Sequence, residues 1–183
     1  MIRRSEPITD QELLESYRQG AAAAFEVILE RYEAPLLRYA ARYRPRTAQD
    51  LVQEVFLRLV RESRKLNGVE SLSAWLYRVT RHLAIDEARK EARMQVRHRT
   101  VAVSEVQPTA PVAVEGAELN AVVTAHIEAL PEKQREVVIL KLQEQRSYKD
   151  ISAITGLSVT NVGYLIHKGL KKLSGDLRRA GVV

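Results

Sequence analysis

Apolar residues recur at intervals of three and four along most of this chain, which is the spacing of one face of an α-helix rather than the alternation of a strand. Thr9 followed by Glu12 forms a capping box, so a first helix is predicted from there to near Gly20. A second apolar stripe runs from Ala21 through Phe25, Ile28, Leu29, Tyr32, Leu36, Tyr39 and Ala40, and Pro35 within it should kink or split the helix. Thr47 is placed to cap a third helix, with Leu51, Val52, Val55, Phe56, Leu59 and Val60 inward and Asp50, Gln53, Glu54, Arg58 and Arg61 outward. Asn67-Gly68 marks a turn between Lys65 and Ser73, and the serines there can cap a fourth helix over about 74–94. Trp75, Leu76, Val79, Leu83 and Ala84 form its buried side, while Arg78, Arg81, His82, Arg89, Lys90 and Arg93 form a basic stripe on or near the other.

Periodicity stops at about Thr100. From there to Glu115 the chain is Val, Ala, Pro, Ser, Thr and Gln with Pro108 and Pro111, which reads as a linker. Helical spacing resumes near Ala117 with Leu119, Val122, Val123 and Ile127. Pro131 suits the first position of a further helix, which carries Val137, Val138, Leu140 and Leu142 with Arg135, Lys141 and Glu144 outside. The pattern therefore describes an all-α protein of two small helical domains, residues 10–96 and 117–176, joined by an acidic flexible connector over 97–116.

The end of the second domain is the most informative stretch. A short helix from Tyr148 to Thr155 breaks at Gly156, Leu157 follows as a buried plug, and Ser158 can cap a second helix to about Leu173. Val162, Leu165 or Ile166, Leu170 and Leu173 can face the core. Two helices joined by a tight glycine turn, the second basic, describe a helix-turn-helix, whose second helix enters a major groove. Thr160, Asn161, Gly163 and Tyr164 would then be exposed at its start; asparagine can pair both edge atoms of adenine, and His167, Lys168, Lys171 and Lys172 suit phosphates. An ordinary helical hairpin fits the same pattern. Gly163 and Gly169 weaken it, each costing about 1 kcal/mol relative to alanine.

Charge sharpens this picture. Residues 1–99 carry 19 basic and 14 acidic side chains, 100–132 carry none and 5, and 133–183 carry 10 and 4, so the blocks are +5, −5 and +6. Two basic blocks around an acidic connector fit surfaces that meet a polyanion, although two solvated bundles give the same balance. The absence of cysteine excludes disulfides and thiolate metal sites. His82, His98, His126 and His167 lack metal-ligand spacing, and no nucleophile elbow or phosphate loop is present, so neither a cofactor nor catalysis is expected. No apolar run approaches the roughly 18 residues of a membrane span, and Met1 to Thr9 lacks the apolar stretch of a secretion signal, so a cytoplasmic protein is expected.

Two segments carry a resemblance to a known family. Asp50-Leu51-Val52-Gln53-Glu54-Val55-Phe56-Leu57-Arg58-Leu59, with Ser73-Ala74-Trp75-Leu76-Tyr77-Arg78-Val79-Thr80-Arg81-His82-Leu83-Ala84-Ile85-Asp86, resembles region two of the bacterial sigma-70 family of RNA polymerase sigma factors, in its extracytoplasmic-function group. Leu130-Pro131-Glu132-Lys133-Gln134-Arg135-Glu136-Val137 and the helix-turn-helix resemble region four. The resemblance implies that Asp50, Gln53, Glu54 and Arg58 dock on the clamp helices of the largest polymerase subunit. It implies that Asn67, in the Lys65 to Ser73 loop, and Arg78, Arg81, His82, Arg89 and Lys90 contact the minus-ten element, capturing an unstacked nontemplate base. Trp75 reads as core rather than as a stacking platform. Ser158, Thr160, Asn161, Tyr164, His167, Lys168 and Lys171 match the helix that reads the minus-thirty-five element. His82 departs from the family's usual asparagine, and Gly163 and Leu165 replace residues that are usually basic. Core RNA polymerase and promoter DNA are the implied partners, with an anti-sigma factor as an open question. A stand-alone helix-turn-helix regulator is the competing reading: it would bind duplex operator DNA without polymerase.

Overall fold

The structure, a computed structural model, describes residues 8–66, 71–97 and 117–182, without the side chains at 95–97 and 117–120. Asn67, His98 and the rest of the 98–116 connector lie outside the described residues, as does the side chain of Leu119. The described residues form eight α-helices and one 3-10 turn, with no strand, and the chain divides into two compact units, residues 1–102 and 103–183. This is the expected all-α class.

The first unit comprises α1 (Asp10–Arg18), α2 (Ala22–Ala41), α3 (Ala48–Glu62), a 3-10 turn (Ser63–Lys65) and α4 (Leu72–Arg97). Both halves of the Thr9 capping box are made: Glu12 N–H donates to Thr9 Oγ1 at 3.3 Å and Thr9 N–H donates to Glu12 Oε2 at 2.7 Å. Donation to the Glu12 carboxylate from the Thr9 N–H, which contributes most, and from the Thr9 hydroxyl at 2.7 Å holds that carboxyl below its usual pKa. Gly20 follows in the left-handed region at φ +99, which turns the chain into α2. Asp10 joins the two helices by accepting from Arg31 Nη1 at 2.6 Å and from the Tyr32 hydroxyl.

Pro35 does not split α2, which runs through it as one helix of 20 residues. Tyr32 and Leu36 on either side are buried, and that packing holds the turn whose hydrogen bond the proline lacks. Thr47 does not cap α3 with its side chain; its hydroxyl donates instead to Glu87 Oε2 at 2.8 Å. Arg44 pairs with Glu87 at 3.5 Å and with Glu91, so the turn before α3 is tied to the outer half of α4. Ser71 caps α4, accepting from Ala74 N–H at 3.1 Å. The core is built from Ile28, Leu36, Tyr39, Val55, Leu59, Leu76 and Tyr77, with the Tyr39 and Tyr77 rings 5.1 Å apart. Every residue from Leu72 to Tyr77 is buried, Trp75 among them, so the start of α4 is enclosed on all sides rather than along one stripe.

The second unit comprises α5 (Ala117–Glu128), α6 (Glu132–Leu142), α7 (Tyr148–Thr155) and α8 (Val159–Arg179). Pro131 sits one position earlier than expected, as the N-cap residue of α6. Four consecutive residues, Val137 to Leu140, are buried, whereas Leu142 is exposed. Glu144, expected outside, is 4% exposed, because the chain folds inward after α6 before Gln145 turns it at φ +52. Gly169 explains how α6 and α8 meet: a Cβ there would stand 2.7 Å from Val138 Cγ2, so the helices approach where no side chain intervenes. Ile127, Ile139, Leu173 and Leu177 close the far end of the unit.

Candidate polymerase and nucleic-acid interfaces

On α3 the apolar positions turn inward, which leaves Asp50, Gln53, Glu54 and Arg58 on one outer face by helical spacing. Asp50 and Gln53 are exposed. Glu54 and Arg58 are half-buried and paired at 3.2 Å, and Arg61 lies 3.6 Å from the same carboxylate. This polar ridge borders a groove of about 520 Å³ between α2 and α3, walled by Phe25, Leu29, Leu37, Val52, Phe56 and Val60. Val60, expected inward, is 44% exposed on that groove and Leu57 is 49% exposed, so the face combines charges with uncovered apolar surface.

The basic stripe of α4 begins where the enclosed part of the helix ends. Arg78, His82, Arg89 and Lys90 are exposed and Arg81 is half-buried; Arg78, His82 and Arg89 lie four and seven residues apart, on one face. Asp86 approaches Arg89 at 3.9 Å, a loose exposed contact that leaves the guanidinium available to another anion.

The helix-turn-helix forms as the residues require. Ser147 and Asp150 make a capping box for α7, with Asp150 N–H donating to Ser147 Oγ at 3.1 Å. Gly156 takes the left-handed conformation at φ +76, and Ser152 Oγ donates to Leu157 O at 2.6 Å across the turn. Ser158 caps α8 by accepting from Asn161 N–H at 3.2 Å. Val162, Ile166 and Leu173 are buried and Leu165 is half-buried, which settles the inward position in favour of Ile166; Leu170 is 36% exposed. Thr160, Asn161, Tyr164, His167, Lys168 and Lys171 are all exposed, and Lys168 Nζ lies 4.9 Å from the Tyr164 ring centroid. Ser158 is exposed too, but its hydroxyl is engaged as the cap.

A match to Sigma-70 region 2 covers residues 28–94, and a match to Sigma-70, region 4 covers residues 122–173. The chain belongs to the sigma-70 family. This sigma factor is 28% identical over 185 residues to the ECF RNA polymerase sigma-E factor of Escherichia coli strain K12, covering 95% of this chain and 97% of that one. The corresponding protein of Haemophilus influenzae is 25% identical, covering 95% and 98%. Among solved structures, CnrH in complex with the cytosolic domain of CnrY aligns with a TM-score of 0.65 at 22% identity, covering 93% and 97% of the two chains. The sigma factor RpoE of Bartonella quintana, in complex with the anti-sigma factor NepR, aligns with a TM-score of 0.65 at 21% identity, covering 84% and 96%. These structures share the fold. The sigma factor acts in promoter-directed transcription initiation by RNA polymerase, and its family is one of non-enzymatic initiation factors. Among the described residues no helix is long and apolar enough to cross a membrane, and no group of three His, Asp or Glu side chains could hold a metal ion.

Tyr148 was not legible as a neighbour of α8. Its ring packs 3.5 Å from where a Gly163 Cβ would stand, and Lys141 Nζ lies 5.4 Å from the ring centroid. The glycine is a long way from Tyr148 in sequence, and nothing in the spacing signals the contact.

Proposed function

We propose that the two units of this sigma factor divide promoter recognition as region two and region four, each through its own set of side chains. The outer face of α3, Asp50, Gln53, Glu54 and Arg58, docks on core RNA polymerase; charged and hydrogen-bonding groups beside an apolar groove suit a reversible interface with a charged partner. The exposed cations Arg78, Arg89 and Lys90 of α4, with His82 and the half-buried Arg81, follow the nontemplate strand at the minus-ten element, helped by Asn67. On α8, Asn161 reads a base edge in the minus-thirty-five element, Ser158, Thr160 and Tyr164 support it, and His167, Lys168 and Lys171 contact phosphates. An anti-sigma factor is a further partner, as CnrY and NepR accompany the solved neighbours.

The observation that carries this reading is the pairing of matches: regions two and four occur in that order, one in each unit, and each unit presents exposed cations on one helical face. Run-off transcription with purified core polymerase and a promoter library tests it. The chain should bind core and direct initiation from a defined pair of upstream elements. Specific operator binding by the chain alone, without any polymerase association, would establish the stand-alone regulator instead.

A further inference from the structure

Along α4 the line through Thr80, Ala84, Glu87 and Glu91, spaced by four, three and four residues, changes character half-way. Thr80 and Ala84 are 0% exposed, whereas every residue from Ala88 to Met94 is exposed, so the last turns of the helix run past the end of the apolar core. A helical piece this short is marginal in water without tertiary support. Polar support takes over where the core stops. Arg44 pairs with Glu87 at 3.5 Å and with Glu91, and the Thr47 hydroxyl donates to Glu87 Oε2 at 2.8 Å. The turn that carries Arg44 is itself fixed: its N–H donates to Ala40 O at 2.9 Å and its carbonyl accepts from Thr47 N–H at 3.2 Å. The Arg44 side chain is 20% exposed, so its ion pairs are screened less than those of a fully exposed side chain. Glu87 and Glu91 stand one turn apart, where like charges repel, and a guanidinium that reaches both offsets that cost.

The side of α4 that these ion pairs hold is not the side that carries its cations. Arg89 is two residues from both glutamates and Arg93 is two from Glu91, a rotation of about 200°, which places both arginines across the helix from Arg44. Both are exposed, and Arg93 Nε donates to Arg89 O at 3.3 Å. Arg44 is therefore badly placed to touch a strand lying on that face and well placed to decide where the face stands. We propose that Arg44 is a positioning residue for minus-ten binding: through Glu87 and Glu91 it holds the outer half of α4 so that Arg89 and Arg93 meet phosphates of the nontemplate strand. This rests on the assignment of α4 to strand contact.

The test titrates holoenzyme, assembled from the full chain and core polymerase, against a premelted promoter at several salt concentrations. Arg44→Ala should weaken binding by roughly fivefold and lower the salt slope by about one, because fewer phosphates are neutralised, while core affinity stays as in wild type. Arg44→Lys keeps a cation for both glutamates and should restore affinity and slope. In a chain already carrying Arg89→Ala and Arg93→Ala, Arg44→Ala should add nothing. A full further loss in that background would mean that Arg44 touches the strand itself, and it overturns the proposal, as does an Arg44→Ala chain with wild-type affinity and slope. If Arg89→Ala with Arg93→Ala bound the promoter as wild type does, the strand-contact reading of α4 would fall and the proposal with it. Should Arg44→Ala fail to fold, Glu87→Gln with Glu91→Gln removes the ion pairs from the other side. Loss of two negative charges alone would tighten binding to DNA, whereas loss of position should weaken it; tighter or unchanged binding refutes the assignment.

Discussion

Gly163 and Gly169 are identical as letters and opposite in what they do. Each costs about 1 kcal/mol of helix propensity, and sequence alone offers no more than that cost. In α8, a methyl group at Gly163 would make ordinary contact with the Tyr148 ring at 3.5 Å, so Gly163→Ala should raise stability by up to about 1 kcal/mol. At Gly169 the same methyl meets Val138 Cγ2 at 2.7 Å, and Val138 is fully buried and β-branched, with little freedom to turn away. Overpacking of this kind costs about 1–3 kcal/mol, so Gly169→Ala should be destabilising despite its better propensity. Urea titrations of the two variants decide the matter; two changes of the same sign would mean that the close approach of α6 and α8 is not what Gly169 provides. Glu12 gives a second expectation at this scale. Its folded-state pKa lies below the usual value of 4.5, so the stabilisation it brings is present above that value and is lost as pH falls through the folded pKa. Glu12→Gln keeps the capping-box hydrogen bond and removes the titration. The thermal midpoint of wild type should therefore fall more steeply than that of Glu12→Gln on acidification through the carboxylate range, and parallel curves would contradict the linkage.

At the scale of the helix, periodicity was a good guide wherever one face packs and the other meets water. α1, α3, α7 and α8 are of that kind, and their caps at Thr9 and Ser158 are made as the residues require. It failed where burial is not one-sided. The start of α4 is enclosed all round, so Tyr77 and Thr80, both 0% exposed, escape a reading that looks for a single stripe. Val60 lies at the edge of the α2–α3 groove rather than beneath it, and Glu144 lies beyond the last turn of α6, where helical spacing no longer applies. The candidate site residues were easier to find because they occupy outer faces left over by the packing. On α3 this can be tested directly: replacing both Asp50 and Glu54 by alanine should weaken core binding by about 1 kcal/mol, or roughly fivefold, while stability stays within about 0.5 kcal/mol. Unchanged affinity in a pull-down titration would count against the docking face. On α8 two side chains should differ in kind. Asn161→Ala should alter base preference at one minus-thirty-five position by about 1–3 kcal/mol, whereas Lys168→Ala should weaken all sequences alike and lower the salt slope by about one. A binding selection repeated at several salt concentrations separates the two, and matching effects would dissolve the distinction between reading and positioning.

The molecule as a whole adds something that neither unit holds alone. Each unit has its own core, and the basic excess is shared between them, +5 in residues 1–99 and +6 in residues 133–183, around an acidic −5 stretch. Joining two binding modules turns the second encounter into an intramolecular one, and the gain is commonly between about 10² and 10⁴ without any new contact. The 19 residues from 98 to 116 can span at most about 68 Å when fully extended, at roughly 3.3–3.6 Å per residue. On the proposed reading, a connector of that reach would let α8 engage one upstream element while the first unit is engaged at another. Supplying residues 1–97 and 117–183 as separate chains, at the same concentration and with core polymerase, should lower initiation from a two-element promoter by about 100-fold or more. A promoter carrying only the minus-ten element should lose far less, because the first unit alone would serve it. If the severed chains initiated from the two-element promoter as well as the intact protein, the covalent connection would contribute nothing to promoter choice, and the two matches would describe neighbours in sequence rather than partners on DNA.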